Sequence, residues 1–245
     1  MQRTSRGLVI KVMDVKENDR LITILTADYG IVRAFVSGAK KSNHKNHAAT
    51  SLFCYCDFLF ALSGDTYKVK EATLITSFFK LSSDILKLSL AQYFCELASQ
   101  LVPEDTMAEE QLKLTLNTLN FLAEGEKSIF ILKSVFELRI LSMSGYMPDL
   151  SACNECGNFE DEVMCFYFED GSITCQECRV DGRYAYIDKT LLATLRHIVY
   201  SDFKKIFSFV IPEEAAKKLS KITEEFVIFQ TDRNYQTLNF FKSLL

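Results

Sequence analysis

Four cysteines are spaced as the ligands of a metal ion usually are. Cys153 and Cys156 form one Cys-x2-Cys hook, and Cys175 and Cys178 form a second hook after 18 intervening residues. Two such hooks supply four thiolates to a tetrahedral zinc ion. A catalytic zinc keeps one coordination position for water, and four thiolates leave none. The spacing therefore predicts one structural Zn2+ ion, against the alternatives of redox dithiols or a chance arrangement.

The residues around the hooks predict a small ribbon. Gly157 follows the first hook, where a tight knuckle needs a residue that tolerates positive φ. Between the hooks, residues 166–168 favour a strand, residues 170–171 a turn, and residues 172–174 the returning strand.

The other cysteines do not resemble a secreted disulfide framework. Cys54 and Cys56 lie in an apolar run, Cys95 in a helical pattern, and Cys165 beside the ribbon. A chain of 245 residues can build a core without disulfides. Residues 1–6 lead into a strand pattern rather than a signal peptide, and no run of 18 apolar residues occurs. We therefore expect a cytoplasmic protein with no membrane partner.

The net charge of −4 conceals an asymmetry along the chain. Residues 1–80 hold 12 Lys and Arg against 7 Asp and Glu, a balance of +5. Residues 81–245 hold 16 against 25, a balance of −9. Because charges act over roughly 8–10 Å in physiological salt, each part has to be judged separately. The amino-terminal part is thus suited to a polyanionic partner.

The first 80 residues are expected to form a small five-stranded, OB-like β-barrel, the first of two domains. Runs of β-branched and aromatic residues predict strands at 8–15, 21–26, 31–36, 52–62 and 67–75. In the last strand, Tyr67, Val69, Glu71, Thr73 and Ile75 are expected on one face. Residues 38–51 form the one long connection and predict a basic loop.

Residues 81–245 are expected to form a helical domain with the zinc segment, residues 149–185, inserted into it. Apolar residues at steps of three and four predict five helices, at 86–101, 112–122, 129–143, 189–200 and 213–230. Lys133 and Glu137 are spaced as an i,i+4 pair in a buried helix. A final apolar stretch, residues 238–245, is expected to fold back onto the helices.

The order of these parts resembles the RecO family of bacterial recombination mediators, over essentially the whole chain. Two departures occur: residues 52–55 read LFCY where the family often has LQPF, and Gly171-Ser172 precedes the second hook instead of two glycines. The matching pieces are GLVI at 7–10, DRL at 19–21, LTADYG at 25–30, SGAKK at 37–41, and GYMP at 145–148 running into the first hook.

This resemblance implies a DNA-repair factor that is not an enzyme and takes no small-molecule substrate. Proteins of this family bind single- and double-stranded DNA and anneal complementary strands. With RecR they help to load RecA onto DNA covered by single-strand-binding protein (SSB), and they engage the acidic carboxy-terminal tail of SSB through the helical domain. We expect the chain to associate with the nucleoid.

The residues of the barrel permit DNA binding without sequence readout, by phosphate contacts and base stacking. Of the aromatic candidates, we expect Phe35 and Tyr55 to pack in the core. His44 and His47 are expected to be solvated rather than metal ligands. Candidates for stacking are Tyr29, Phe35, Tyr55 and Tyr67. Candidates for phosphate contact are Arg20, Arg33, Lys40, Lys41, Lys45, Lys68 and Lys70.

An acidic, apolar SSB tail requires an apolar cleft with a basic rim. Residues available for that rim are Lys113, Lys133, Arg139, Lys204 and Lys205.

Enzymatic alternatives find little support in the sequence. It contains no P-loop, dinucleotide fingerprint, HExxH or Gly-x-Ser-x-Gly motif, and only three histidines, with His197 on an amphipathic helix. A zinc-dependent nuclease or deaminase is disfavoured by the four thiolates. The main alternative is a zinc-ribbon adaptor or transcription factor that binds protein through its acidic helical part.

Overall fold

The computed structural model describes residues 2–15, 17–40, 46–64 and 66–245. The chain forms two compact units, one of residues Met1–Glu124 with Tyr235–Leu245 and one of residues Gly125–Asn234. The boundaries of these units differ from the domain boundary expected after residue 80. That residue lies where the strands end and the helices begin. The two helices that follow residue 80 belong to the same unit as the barrel.

The first unit contains a closed five-stranded barrel in the order β1-β2-β3-β5-β4, as in an OB fold. Its first strand begins earlier than predicted, because residues 2–7 pair with β4. The short β3–β5 contact is parallel and the other pairings are antiparallel. The strands are β1 Gln2–Val15, β2 Asp19–Thr26, β3 Gly30–Val36, β4 Cys54–Ser63 and β5 Thr66–Ser77.

A bulge in β5 shows that the predicted simple alternation of this strand is wrong. Leu59 pairs with Glu71 and Phe60 with Val69, so Lys70 is an extra residue. As a result, Val69 and Ala72 both turn into the core, three positions apart, while Glu71 is exposed. Asn46 satisfies the backbone beside the bulge, since its Oδ1 accepts from the Ala72 amide at 3.2 Å.

Three helices complete the first unit: α1 Ile85–Leu101, α2 Glu109–Glu124 and α6 Gln236–Lys242. Asp84 caps α1 by accepting from the Leu86 amide at 2.9 Å. Helix α6 packs on α1, where the Tyr93 and Tyr235 rings meet edge to face at 5.8 Å. The carboxy-terminal stretch therefore folds back onto the helices, as predicted, and packs against α1.

The second unit combines three helices with the three-stranded sheet β7-β6-β8. Met164, Phe166, Ile173 and Ile187 are fully buried along the sheet, and the Phe166 ring meets Phe226 of α5 at 5.2 Å. Strand β8 was not among the predicted strands. The helices are α3 Ile129–Met143, α4 Lys189–Tyr200 and α5 Glu213–Thr231; the strands are β6 Val163–Tyr167, β7 Ile173–Cys175 and β8 Tyr184–Asp188. None of the helices in the described part of the chain is long and apolar enough to span a lipid bilayer.

A buried ion-pair network joins α3 to α5. The Lys133 ammonium is 1% exposed and lies 2.9 Å from Glu137 Oε1 and 3.1 Å from Glu224 Oε2. It also donates to the Ser220 carbonyl, and the Thr223 hydroxyl donates to Glu137. The predicted Lys133–Glu137 pair is therefore confirmed, in a buried setting where one cation serves two carboxylates.

Replacing Lys133 by Met should lower the free energy of unfolding by about 3–5 kcal/mol, because Glu137 then loses its buried counter-ion. Lys113→Met is the matched control: Lys113 forms an exposed i,i+4 pair with Glu109 at 2.8 Å. That control should cost no more than about 0.5 kcal/mol. Urea unfolding followed by circular dichroism compares the two, and equal losses would contradict the role given to the network.

Candidate metal centre and nucleic-acid interface

The four hook cysteines converge on one point in the second unit. The Sγ atoms of Cys153, Cys156, Cys175 and Cys178 all lie within 4.8 Å of one another. Two of the separations are 3.9 Å, for Cys153 and Cys175, and 3.7 Å, for Cys156 and Cys175. A tetrahedral zinc with Zn–S bonds of about 2.3 Å has S···S edges of about 3.8 Å. Donor type and spacing thus fit such an ion.

The local backbone explains why the sulfurs meet. The Gly157 amide donates to the Cys153 carbonyl at 2.9 Å, and Gly157 takes the positive φ predicted for a knuckle. The Asn154 amide donates to the Ile173 carbonyl at 2.9 Å, which ties the first hook to β7, the strand that ends in Cys175. Each hook is therefore held by its own turn and by the sheet.

The pKa of Cys153 is shifted in the opposite direction from the pKa values of the two buried thiols of the barrel. Burial opposes ionisation of Cys153, but hydrogen bonds from backbone amides, Cys156 first, outweigh it and lower the pKa of Cys153 to about 6. Burial raises the pKa of Cys54 to about 11 and that of Cys56 to about 12. Buried, protonated thiols of this kind are poor metal ligands, since the thiolate is the ligand.

A groove of about 580 Å3 lies on the barrel beside the β3–β5 junction. In OB folds the face of strands two and three binds oligonucleotides. The strand register places Leu21, Phe35 and Lys68 side by side, because Phe35 pairs with both of the others. The side chains that line the groove include Arg3, Leu21, Arg33, Phe35, Leu62 and Tyr67.

Two predicted contact residues, Arg33 and Phe35, meet in this groove. The Arg33 side chain is 62% exposed. Phe35 is 37% exposed, so the expectation that it packs in the core is wrong. Its neighbour Lys68 is exposed as well. A solvent-facing aromatic ring with cations at neighbouring positions can stack a base while the cations bind phosphates.

Arg3 belongs to the groove and was missed from the sequence. Its guanidinium lies 4.9 Å from the Tyr29 ring centroid and 5.7 Å from that of Tyr67, and it donates to the Tyr67 hydroxyl. Tyr29 and Tyr67 are also packed against the barrel core. The two tyrosines therefore hold Arg3 in place, and of the four stacking candidates Phe35 has the most open ring. Tyr55 is half-buried.

Other predicted cations lie away from this groove. Asp14 forms ion pairs with both Arg20, at 3.4 Å, and Lys40, at 3.6 Å. Arg20 also donates to the His47 carbonyl, and His47 Nδ1 contacts the Ala39 carbonyl at 2.6 Å. Thus His47 anchors the long connection rather than facing solvent freely. Lys70 is exposed at the β5 bulge. Lys41, His44 and Lys45 lie outside the described residues.

The structure leaves fewer candidates for the basic rim of a cleft that would bind an acidic tail. Lys133 is buried in the ion-pair network and cannot form a rim. Arg139 donates to the carbonyls of Val199, at 2.9 Å, and of Ile198 and Ser201, which caps the end of α4. Lys204 and Lys205 are exposed in a 3-10 turn, close in sequence to Val210, which is 92% exposed.

Removing two thiolates should abolish metal binding without opening a cavity, since Cys156 is exposed and Cys178 is only half-buried. We expect one zinc per chain in the parent protein and less than about a tenth of that in Cys156→Ser/Cys178→Ser, with a lower Tm. Cys95→Ala, which removes a buried thiol of α1, is the control and should keep its zinc. Elemental analysis of the purified proteins decides, and stoichiometric metal in the double variant would contradict the assignment.

Comparison with known proteins accounts for nearly the whole chain. The family model described as Recombination protein O N terminal matches residues 1–78, and Recombination protein O C terminal matches residues 82–238. DNA repair protein RecO of Acetivibrio thermocellus is 31% identical over 239 residues, covering 97% of this chain and 95% of that protein. DNA repair protein RecO of Clostridium perfringens is 29% identical over 241 residues, with 97% and 96% covered. The chain therefore belongs to the RecO family of DNA repair proteins.

Proposed function

We propose that the protein is a DNA-binding recombination mediator that holds single-stranded DNA in the barrel groove. The observation that carries this proposal is the exposed Phe35 ring, with Arg33 two residues before it and Lys68 opposite it in the strand register, on the OB-fold face used for oligonucleotides. Every base offers a π face to an aromatic ring, so stacking of this kind tolerates any sequence. That tolerance suits a repair factor, which meets damage at arbitrary sites.

Annealing of complementary strands follows from the same groove and requires no bond to be made or broken. Cations that neutralise phosphates reduce the repulsion between two strands, and a stacked base can exchange its aromatic partner for a paired one. Binding of double-stranded DNA would rest on the phosphate contacts alone. Cooperation with RecR in loading RecA onto SSB-coated DNA, and association with the nucleoid, are proposed from family membership.

For the acidic tail of SSB, the favoured rim is Lys204 and Lys205. Both are exposed, whereas Lys133 is buried, Arg139 caps α4, and Lys113 is paired with Glu109. Val210, which is close to both lysines in sequence, is exposed and offers apolar surface. A cationic rim with an apolar neighbour suits a peptide that is both acidic and hydrophobic.

The metal centre has a structural part in this proposal. Four thiolates would hold Zn2+ without an open position, so the ion would supply folding energy to the ribbon. Residues 149–188 carry 10 acidic residues against two arginines. Such a surface repels phosphates, which disfavours DNA contact through the ribbon.

Phe35→Ala should weaken binding of labelled oligo(dT) at least fivefold, because stacking one base contributes roughly 1–3 kcal/mol. Phe79→Ala is the control, since Phe79 is 51% exposed in the same unit but outside the groove. Affinity of the parent protein should fall steeply with salt, as counterion release requires. Fluorescence anisotropy at several salt concentrations measures both effects. Salt-independent or absent binding in the parent protein would overturn the proposal.

Reversing the three lysines of the long loop, Lys40, Lys41 and Lys45, to Glu should also weaken DNA binding. A loop with three positive charges can follow a phosphate backbone, and reversal turns attraction into repulsion. Zinc content and Tm should stay unchanged, because the ion pair of Lys40 with Asp14, at 3.6 Å, is partly exposed and contributes little stability. The same anisotropy titration tests this, and undiminished affinity would exclude the loop from the interface.

A further inference from the structure

An acidic segment between α1 and α2 lies against the candidate DNA groove. We define residues 103–107 as the acidic strap. Its backbone is bonded to the barrel, since the Ile31 amide donates to the Pro103 carbonyl at 3.2 Å and the Asp105 amide donates to the Tyr29 carbonyl at 3.0 Å. Glu104 forms an isolated antiparallel bridge with Gly30, the first residue of β3. The strap is thus held beside the groove by main-chain bonds.

The seat of the strap on Gly30 leaves no room for a side chain. Gly30 has a φ of +60°, and a Cβ built on it would lie 2.0 Å from the Pro103 carbonyl oxygen. Only glycine combines this backbone conformation with so close an approach. The position of the strap is therefore set by the amino-terminal end of β3, in the strand that also carries Arg33 and Phe35.

Both arginines of the groove are occupied by carboxylates of the strap. Arg33 Nη1 lies 2.7 Å from Glu104 Oε1, and Arg3 Nη1 lies 3.3 Å from Asp105 Oδ1. Two consecutive carboxylates thus hold the two guanidiniums that a nucleic-acid backbone would need. Carboxylate and phosphate oxygens bind the guanidinium fork in the same way.

We propose that the acidic strap is a built-in competitor of DNA, whose carboxylates take the place of phosphates in the empty groove. The inference rests on the proposed function, because it presupposes that the groove binds single-stranded DNA. DNA enters by exchanging phosphates for the carboxylates of Glu104 and Asp105 on Arg33 and Arg3, while the strap backbone stays bonded to the barrel. Only the two acidic side chains have to turn away.

The exposure of the two carboxylates makes this exchange feasible, although Arg3 itself is only 26% exposed. The Glu104 side chain is 57% exposed and that of Asp105 is 74% exposed. Pairs exposed on both sides, such as Arg33 with Glu104, change an equilibrium constant by no more than about fivefold each. A single anion gains little by replacing one of them. A strand gains more, since it brings further phosphates and a base for Phe35, so the strap favours polymers over isolated anions.

Removing the charge of the strap should tighten DNA binding. In Glu104→Gln/Asp105→Asn the arginines have no carboxylates to exchange, and affinity for oligo(dT) should rise roughly threefold to tenfold. The salt dependence should steepen by up to about 1.4 in the logarithmic slope, because the same two phosphate contacts then form without releasing two carboxylates that take up cations from solution. Asn suits position 105, where φ is +54°. Tm should stay within a few degrees, since both side chains are exposed.

The matched control is Glu109→Gln/Glu110→Gln at the start of α2. It removes the same charge a few residues further on, and Glu109 is paired with Lys113 as Glu104 is with Arg33. If both double variants gain equal affinity with the same slope, a general charge effect explains the data and the strap inference fails. If neither the parent protein nor the variants bind oligo(dT), the proposed function fails instead. A larger gain and a steeper slope in the strap variant alone support the inference.

Discussion

The candidate DNA site depends on how the barrel closes. In the part of the chain that the structure describes, strands β3 and β5 meet in parallel through two residue pairs, Ala34 with Tyr67 and Phe35 with Lys68. The antiparallel pairings on the other sides of these strands are much longer. Because the pairing of β3 with β5 is so short, the two strands separate beyond it, and Leu21, Phe35 and Leu62 next to the junction line the groove. The groove beside the junction is thus a consequence of the closure itself.

Much of this architecture can be predicted from the sequence, because its strongest patterns are local. Helices α3 and α4 have the bounds predicted from apolar spacing, and the cysteine hooks specify their own cluster. Residues 2–7 were missed because they are mostly polar and become a strand only by pairing with β4. The β5 bulge was missed for a related reason, since its register is decided by Asn46 and β4 rather than by β5.

The candidate site residues and the ion pairs show the same division between local and long-range information. Arg33 was predicted, but no local pattern indicates that it meets Arg3, which joins the groove only because β1 starts early. Lys133 and Lys113 are both spaced for i,i+4 pairs with glutamates, yet one is buried and the other exposed. Spacing predicts that such a pair forms. Burial depends on the packing of α3 against α5, and no spacing rule contains it.

The burial of an ion pair in this chain also determines whether its members can exchange partners. In the α3–α5 network, removing one partner would leave an unpaired charge buried away from water. The two partners of such a pair therefore have to remain in contact. On the barrel, Arg33 and Glu104 are both more than half exposed, and water can solvate either one as the pair opens. An electrostatic contact that must exchange partners during function therefore has to lie at the surface. The same reasoning favours the acidic strap, rather than any buried carboxylate, as the proposed competitor of DNA in the groove.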